Sequence, residues 1–232
     1  MPRKPRFFLP NVPVHMMIRG NNNQAVFADD EDRQAYLGWL KEACQIQGCA
    51  VHSYVLMTNH VHILLSAEEP SNISKLSQAI GRKYVPYFNR KYAKSGALWE
   101  GRFKACSIDS EHYLLACYRY IELSPIREGI VSKSAEYAWS SYHANALGVA
   151  NAIVTPHSLY LSLGKTKALR QLAYQGLFKE ALSDNIMNEI ELTTQTGTPL
   201  GSEKFKKEIE SLLGVKTGYA KRGRPLNSAD LN

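Results

Sequence analysis

Residues 50–66 read AVHSYVLMTNHVHILLS, two apolar runs joined by Thr58 and Asn59, and the spacing of these runs decides the fold. A connection this short between runs rich in β-branched and aromatic residues predicts a β-hairpin, with strands over Ala50 to Met57 and His60 to Ser66. Successive side chains of a strand point to opposite faces, so His60 and His62 share one face while Val61, Ile63 and Leu65 line the other. Two imidazoles about 7 Å apart along one face can converge on a single metal ion. The alternative is a pair of histidines packed on an ordinary polar sheet face.

Upstream of the hairpin, Val12 to Arg19 is β-branched and apolar and closes at Gly20, which predicts a first strand followed by a polar Asn21-Asn22-Asn23 turn. Asp30 to Gly48 carries Tyr36, Leu37, Leu40, Ala43 and Cys44 at helical spacing, with acidic residues at its start and glycine at its end. Downstream, Asn72 to about Tyr92 predicts a second helix, with Ile73, Leu76, Ile80, Tyr84 and Tyr87 near one face. Phe103 to Ile108 reads as a short strand, and Glu111 to Ser124 as a third helix stopped by Pro125. The order strand, helix, strand, strand, helix, strand, helix predicts an α+β fold with a ferredoxin-like antiparallel sheet and helices on its face.

Past about Ser140 the patterning weakens. Lys165 to Leu182 predicts another amphipathic helix, Thr193 to Gly201 reads as a Thr- and Gly-rich linker, and Ser202 to Leu213 predicts a short helix capped by Gly214. The expected organisation is a domain over residues 1–145, a helical C-terminal extension over 146–215 and a basic, flexible tail over 216–232.

The net charge of +7 favours a polyanionic partner, nucleic acid before membrane. Cys44, Cys49, Cys106 and Cys117 form no CxxC pair and read as reduced thiols rather than zinc ligands. The basic start is broken by prolines, and no run reaches the length of about 18 apolar residues needed to cross a membrane, so neither secretion nor membrane insertion is expected.

The third helix carries the second chemical signal. At about 100° per residue, Tyr113, Cys117, Tyr120 and Ser124 fall on one stripe, and Glu122 lies nearly opposite Tyr120. Such a stripe is either core packing or a phenol presented to a site.

Five segments in order resemble the signatures of the REP-associated tyrosine transposases, domesticated relatives of the single-tyrosine HUH transposases of insertion sequences. They are VHMMIRGNNN at 14–23, His60-Val61-His62, LWEGRFK at 98–104, YRYIELSPIR at 118–127 and WSSY at 139–142, and together the matches cover about residues 7–145. The resemblance implies that His60 and His62 are metal ligands and that Tyr120 is the nucleophile. It implies a third ligand one turn after the tyrosine, where the family usually carries Asn or Gln. Here that position is Ser124, a shorter oxygen donor. It further implies a divalent cofactor, Mg2+ or Mn2+, and cleavage and rejoining of single-stranded DNA at repeated palindromic hairpins through a 5′-phosphotyrosine. The expected setting is the bacterial cytoplasm, in association with the nucleoid, as monomer or homodimer. A hairpin-binding protein that keeps the fold but no longer cleaves is the alternative, as is a nuclease that uses water in place of Tyr120.

Arg19, Arg82, Lys83, Arg102 and Lys104 are candidates to hold phosphates, with Tyr84, Tyr87 or Trp99 available to stack on bases. Lys221, Arg222 and Arg224, in the stretch ending at Pro225, resemble an AT-hook core that enters a narrow minor groove. His15 and His52, on neighbouring predicted strands, read as packed histidines.

Overall fold

A computed structural model describes residues 6–214 together with 216 and 217. Four antiparallel strands, β1 (Val14–Arg19), β2 (Cys49–Leu56), β3 (His60–Ala67) and β4 (Lys104–Ser107), form one sheet in the order β2-β3-β1-β4. With α1 (Asp30–Gln47) between β1 and β2, and α2 (Ser71–Lys91) between β3 and β4, the chain has the expected ferredoxin-like course.

Local chemistry fixes the ends of these elements. Asp29 accepts from the backbone of Asp32 at the start of α1, Asp32 reciprocates as a capping box, and Gly48 ends the helix at φ 60°. His52 is the extra residue of a bulge in β2, since Val51 pairs with Leu65 and Ser53 with Leu64. This bulge reverses the alternation of β2, so that Val51, Tyr54 and Leu56 all join the core beneath α1 and α2. Val61, Ile63 and Leu65 of β3 lie in the same core, as their alternation with the histidines requires. Tyr84 belongs there as well: it is fully buried and its hydroxyl donates to the Val26 carbonyl, so it is core packing and not a base-stacking platform.

The opposite face of the sheet is covered by α3 (Ser110–Glu122) and by helices of the extension. Helix α3 ends two residues earlier than the sequence predicts, and α4 (Ser124–Arg127) follows at once with Pro125 in its first turn, where the missing N–H costs nothing. The remaining helices are α5 (Tyr142–Asn145), α6 (Ser158–Leu161), α7 (Lys167–Gly176), α8 (Asp184–Thr196) and α9 (Glu203–Leu213). Helix α8 corrects the expected linker, because Thr193 and Thr194 are buried helical residues whose hydroxyls donate to the Glu189 and Ile190 carbonyls. Ser183 and Gly197 supply its caps, and Ser202 and Gly214 those of α9.

The second core joins Val55, Met57 and Leu64 of the sheet and Leu114, Cys117, Tyr118 and Ile121 of α3 to Tyr160, Tyr174, Ile190 and Leu200 of the extension. At its centre the Glu122 carboxylate, fully buried, accepts from Ser141 Oγ at 2.5 Å, Asn145 Nδ2 at 2.8 Å, Tyr174 Oη at 2.7 Å and Ser53 Oγ at 3.3 Å. Burial nevertheless pushes its pKa up to about 7, against the pull of these donors. Among the described residues no helix is long and apolar enough to cross a membrane.

Candidate active site

Strand pairing, which no local spacing reveals, assembles the site. In the register of β1 against β3, Arg19 sits opposite His60, Met17 opposite His62 and His15 opposite Leu64, so these side chains share the face that α3 covers. There all of them but Leu64 line a cavity of about 200 Å³ together with Tyr120 of α3, Arg127 and Glu128 after it, and Glu191, Thr194 and Gln195 of α8. Of the four residues that resemblance singles out, His60, His62 and Tyr120 are therefore brought together. The His60 and His62 rings lie 5.0 Å apart and nearly perpendicular, and the Tyr120 ring lies 5.8 Å from that of His62.

Hydrogen bonds set the tautomer of both histidines. The Thr194 hydroxyl donates its one proton to the Ile190 carbonyl at 2.7 Å, so it accepts from His15 Nδ1 at 2.8 Å. His15 then presents a bare Nε2, which lies 2.9 Å from His62 Nδ1 and accepts its proton. The outcome is a His62 whose Nε2 carries a lone pair. His60 Nδ1, 2.7 Å from Asn59 Oδ1, is likewise the protonated nitrogen, and its Nε2 is also bare. Burial holds all three rings neutral: His15 is lowered to about 3, His60 to about 4 with Arg19 and Arg127 adding repulsion, and His62 well below its ordinary value. Two neutral imidazoles with bare Nε2 atoms fit a divalent ion. Among the described residues no three His, Cys, Asp or Glu side chains are already gathered as a ready-made ion cage.

Arg127 packs its guanidinium 4.1 Å from the centroid of the Tyr120 ring and donates to the Tyr120 carbonyl at 2.6 Å. Burial raises the phenol pKa of Tyr120, and the Arg127 charge works against that rise. Arg19 reaches the same cavity, and its Nε is a buried donor with no protein partner among the described residues.

Ser124, expected beside the ion, is not among the cavity-lining residues. Fully buried, its hydroxyl donates to the Tyr120 carbonyl at 3.1 Å and accepts from Arg127 Nη2 at 2.8 Å. The break at Leu123 and the short hydroxymethyl group turn this residue back onto its own helix. Glu122 faces away from Tyr120, as its helical angle predicts. Arg82 and Lys83 are exposed on α2, beyond the other face of the sheet, and Lys83 pairs with Glu42 at 2.6 Å. Arg102 and Lys104 are exposed beside β4 and do not line the cavity. Lys221, Arg222 and Arg224 lie outside the described residues. Sequence reasoning missed His15, Arg127, Glu128 and the three residues of α8. Of these His15 left a trace, two and four residues before Met17 and Arg19 on one strand face, and Arg127 closes the quoted segment 118–127.

Among curated proteins no sequence matches the chain. A solved structure of the REP-associated tyrosine transposase bound to a REP hairpin shares the fold, with a TM-score of 0.54 at 16% identity over 68% of this chain and 96% of that one. A crystal structure of a proposed transposase from Deinococcus radiodurans aligns at 22% identity over 52% of this chain and 95% of that one, with a TM-score of 0.38. The sequence profile of the IS200-like transposases matches residues 9–124, half of the chain, and takes in both histidines and Tyr120. The chain belongs to the IS200-like transposase family.

Proposed function

We propose that the protein is a single-tyrosine DNA strand transferase that cuts single-stranded DNA beside a palindromic hairpin and rejoins it. The observation that carries this reading is the convergence of Tyr120, His60 and His62 on one cavity flanked by Arg19 and Arg127. A hairpin substrate is supported by the similarly folded transposase bound to a REP hairpin, and by the net charge of +7.

His60 and His62 would hold a divalent cation through their Nε2 atoms, and mixed imidazole and oxygen ligation suits Mn2+ better than Mg2+. When bound, that cation supplies polarisation of the phosphate and offsets charge on the leaving 3′ oxygen. The Tyr120 phenol gives up its proton to solvent at the cavity mouth and attacks phosphorus in line. A bond from Tyr120 Oη to phosphorus forms as the bond to the 3′ oxygen breaks; that oxygen takes up a proton, leaving a 5′-phosphotyrosine and a free 3′ hydroxyl. Arg127 favours the phenolate, and the unpartnered Nε–H of Arg19 is a donor for a phosphate oxygen. Because the covalent link retains the phosphodiester energy, a 3′ hydroxyl from another strand reverses the step and joins new DNA.

The test is incubation with single-stranded hairpin DNA and Mn2+, followed by a denaturing gel. A covalent protein–DNA adduct is expected with the wild type and with Tyr118→Phe, and none with Tyr120→Phe. Cleavage without an adduct indicates a water-using nuclease. Hairpin affinity without cleavage indicates a binding protein.

A further inference from the structure

We propose that Glu128 is the third protein donor of the cation site, standing in for the side-chain amide that the family resemblance places at position 124. This rests on the reading of His60 and His62 as ion ligands and extends it to the remaining donor.

The hydroxyl of Ser124 is committed elsewhere, to the Tyr120 carbonyl and to Arg127. One turn further on, the backbone N–H of Glu128 donates to the Ser124 carbonyl at 3.0 Å, which keeps the chain coiled just far enough for the Glu128 side chain to line the cavity. Gly129, at φ 68°, then ends the turn. The carboxylate Oε1 lies 3.5 Å from His60 Nε2.

The two atoms therefore stand side by side in the cavity. Asn59 Oδ1 has no proton to give and takes the one on His60 Nδ1, and the Asn59 amide orientation is held by its Nδ2 donating to Asn23 Oδ1 at 3.3 Å. With its Nδ1 proton committed to Asn59, His60 leaves Nε2 beside Glu128 Oε1 as two neighbouring donors at the cavity. A cation is what makes such a pair attractive. Ligand distances of about 2.1 Å put neighbouring donors about 3.0–3.5 Å apart, the range of the observed separation. A carboxylate is also a stronger partner than an amide for a hard divalent ion.

Glu191 is the competing carboxylate in the cavity, but its Oε1 already accepts from Gln195 Nε2 at 2.8 Å. The Glu128 side chain is 44% exposed, so its removal leaves the core intact.

Titration of the full chain with Mn2+ alone, followed by calorimetry or by the electron paramagnetic resonance of free Mn2+, tests the assignment without DNA or turnover. Far-UV circular dichroism and thermal unfolding on each variant confirm folding. The wild type is expected to bind Mn2+. His60→Ala should abolish binding, Glu128→Ala should weaken it about tenfold or more, and Glu128→Gln, which keeps an oxygen donor, should fall between. Glu191→Ala should cost less than Glu128→Ala. Wild-type affinity in Glu128→Ala with loss in His60→Ala overturns the assignment of Glu128 alone, and a larger loss in Glu191→Ala moves the third donor to α8. Unchanged binding in His60→Ala, or no binding by the wild type, overturns the histidine site on which the proposal stands.

Discussion

His15 Nε2 lies 2.9 Å from His62 Nδ1, so a residue of the first strand decides which nitrogen of His62 faces the cavity. Thr194 decides in turn which nitrogen of His15 is bare, through a 2.8 Å contact from a helix about 180 residues further along the chain. His15 is a positioning residue in this arrangement. His15→Ala should lower Mn2+ affinity about tenfold by freeing the His62 tautomer, the usual scale for outer partners of metal ligands. His15→Gln, which can offer a carbonyl oxygen to His62 Nδ1, should recover part of the loss. Equal affinity of His15→Ala and wild type, measured by calorimetry, would remove His15 from the site.

Arg127 supports two loads: it stacks on the Tyr120 ring and it holds Ser124 Oγ. Removing its charge leaves burial to raise the phenol pKa unopposed by Arg127. Arg127→Ala should slow DNA cleavage about 100-fold, the scale of one lost charge-stabilising donor, and should shift the pH profile of cleavage upward. Arg127→Lys should restore part of the rate. A variant profile parallel to the wild type at all pH values would show that Arg127 does not act on the phenol.

The metal-free protein should lose stability as pH falls from about 6.5. His15, His60 and His62 all have folded pKa values depressed below the ordinary 6.5, His15 to about 3 and His60 to about 4. Between 6.5 and those values the unfolded chain binds protons that the folded chain refuses, so stability rises with pH across that window. Glu122, raised to about 7, and Glu128, also raised by burial, pull the other way, but burial lowers His52 to about 4 and His157 as well, so two groups stand against five. Urea midpoints measured with a chelator present from pH 7 to pH 5 should therefore fall. A flat series would mean that the histidines are not neutral and buried.

Glu122 tests the knot that ties α3 to the extension. Glu122→Gln puts an amide N–H₂ where donors from Ser141, Asn145, Tyr174 and Ser53 converge, and at least one of them must lose its acceptor. We expect a loss of about 1–3 kcal/mol in chemical denaturation, with Mn2+ affinity unchanged. Diminished Mn2+ binding by a folded Glu122→Gln protein would instead couple this carboxylate to the site.

Much of the fold was legible because its signals are local. Alternation from His60 to Leu65 gave the two faces of β3, and Gly48 and Gly214 marked helix ends. Helix α8 was not legible, since threonines and a nearby glycine signal a linker by propensity. Only packing against the sheet, with each hydroxyl satisfied one turn back, makes Thr193 and Thr194 helical core residues. The site divides the same way. His60 and His62 stand out by spacing, whereas His15 enters through strand register and Glu128 through the turn that consumes Ser124. Tyr84 was ambiguous, because an aromatic side chain that follows two basic residues looks the same in sequence whether it faces DNA or the core.

The shared second core bears on how the chain comes apart. A boundary near residue 145 divides the sequence by pattern, yet Tyr174, Ile190 and Leu200 lie against Leu114, Tyr118 and Ile121 from before it. Loss of the later segment would bare Leu114, Tyr118 and Ile121 to water and leave α3 without half of its apolar cover. The two portions therefore melt as one cooperative unit, and a cut near residue 145 yields no stable half.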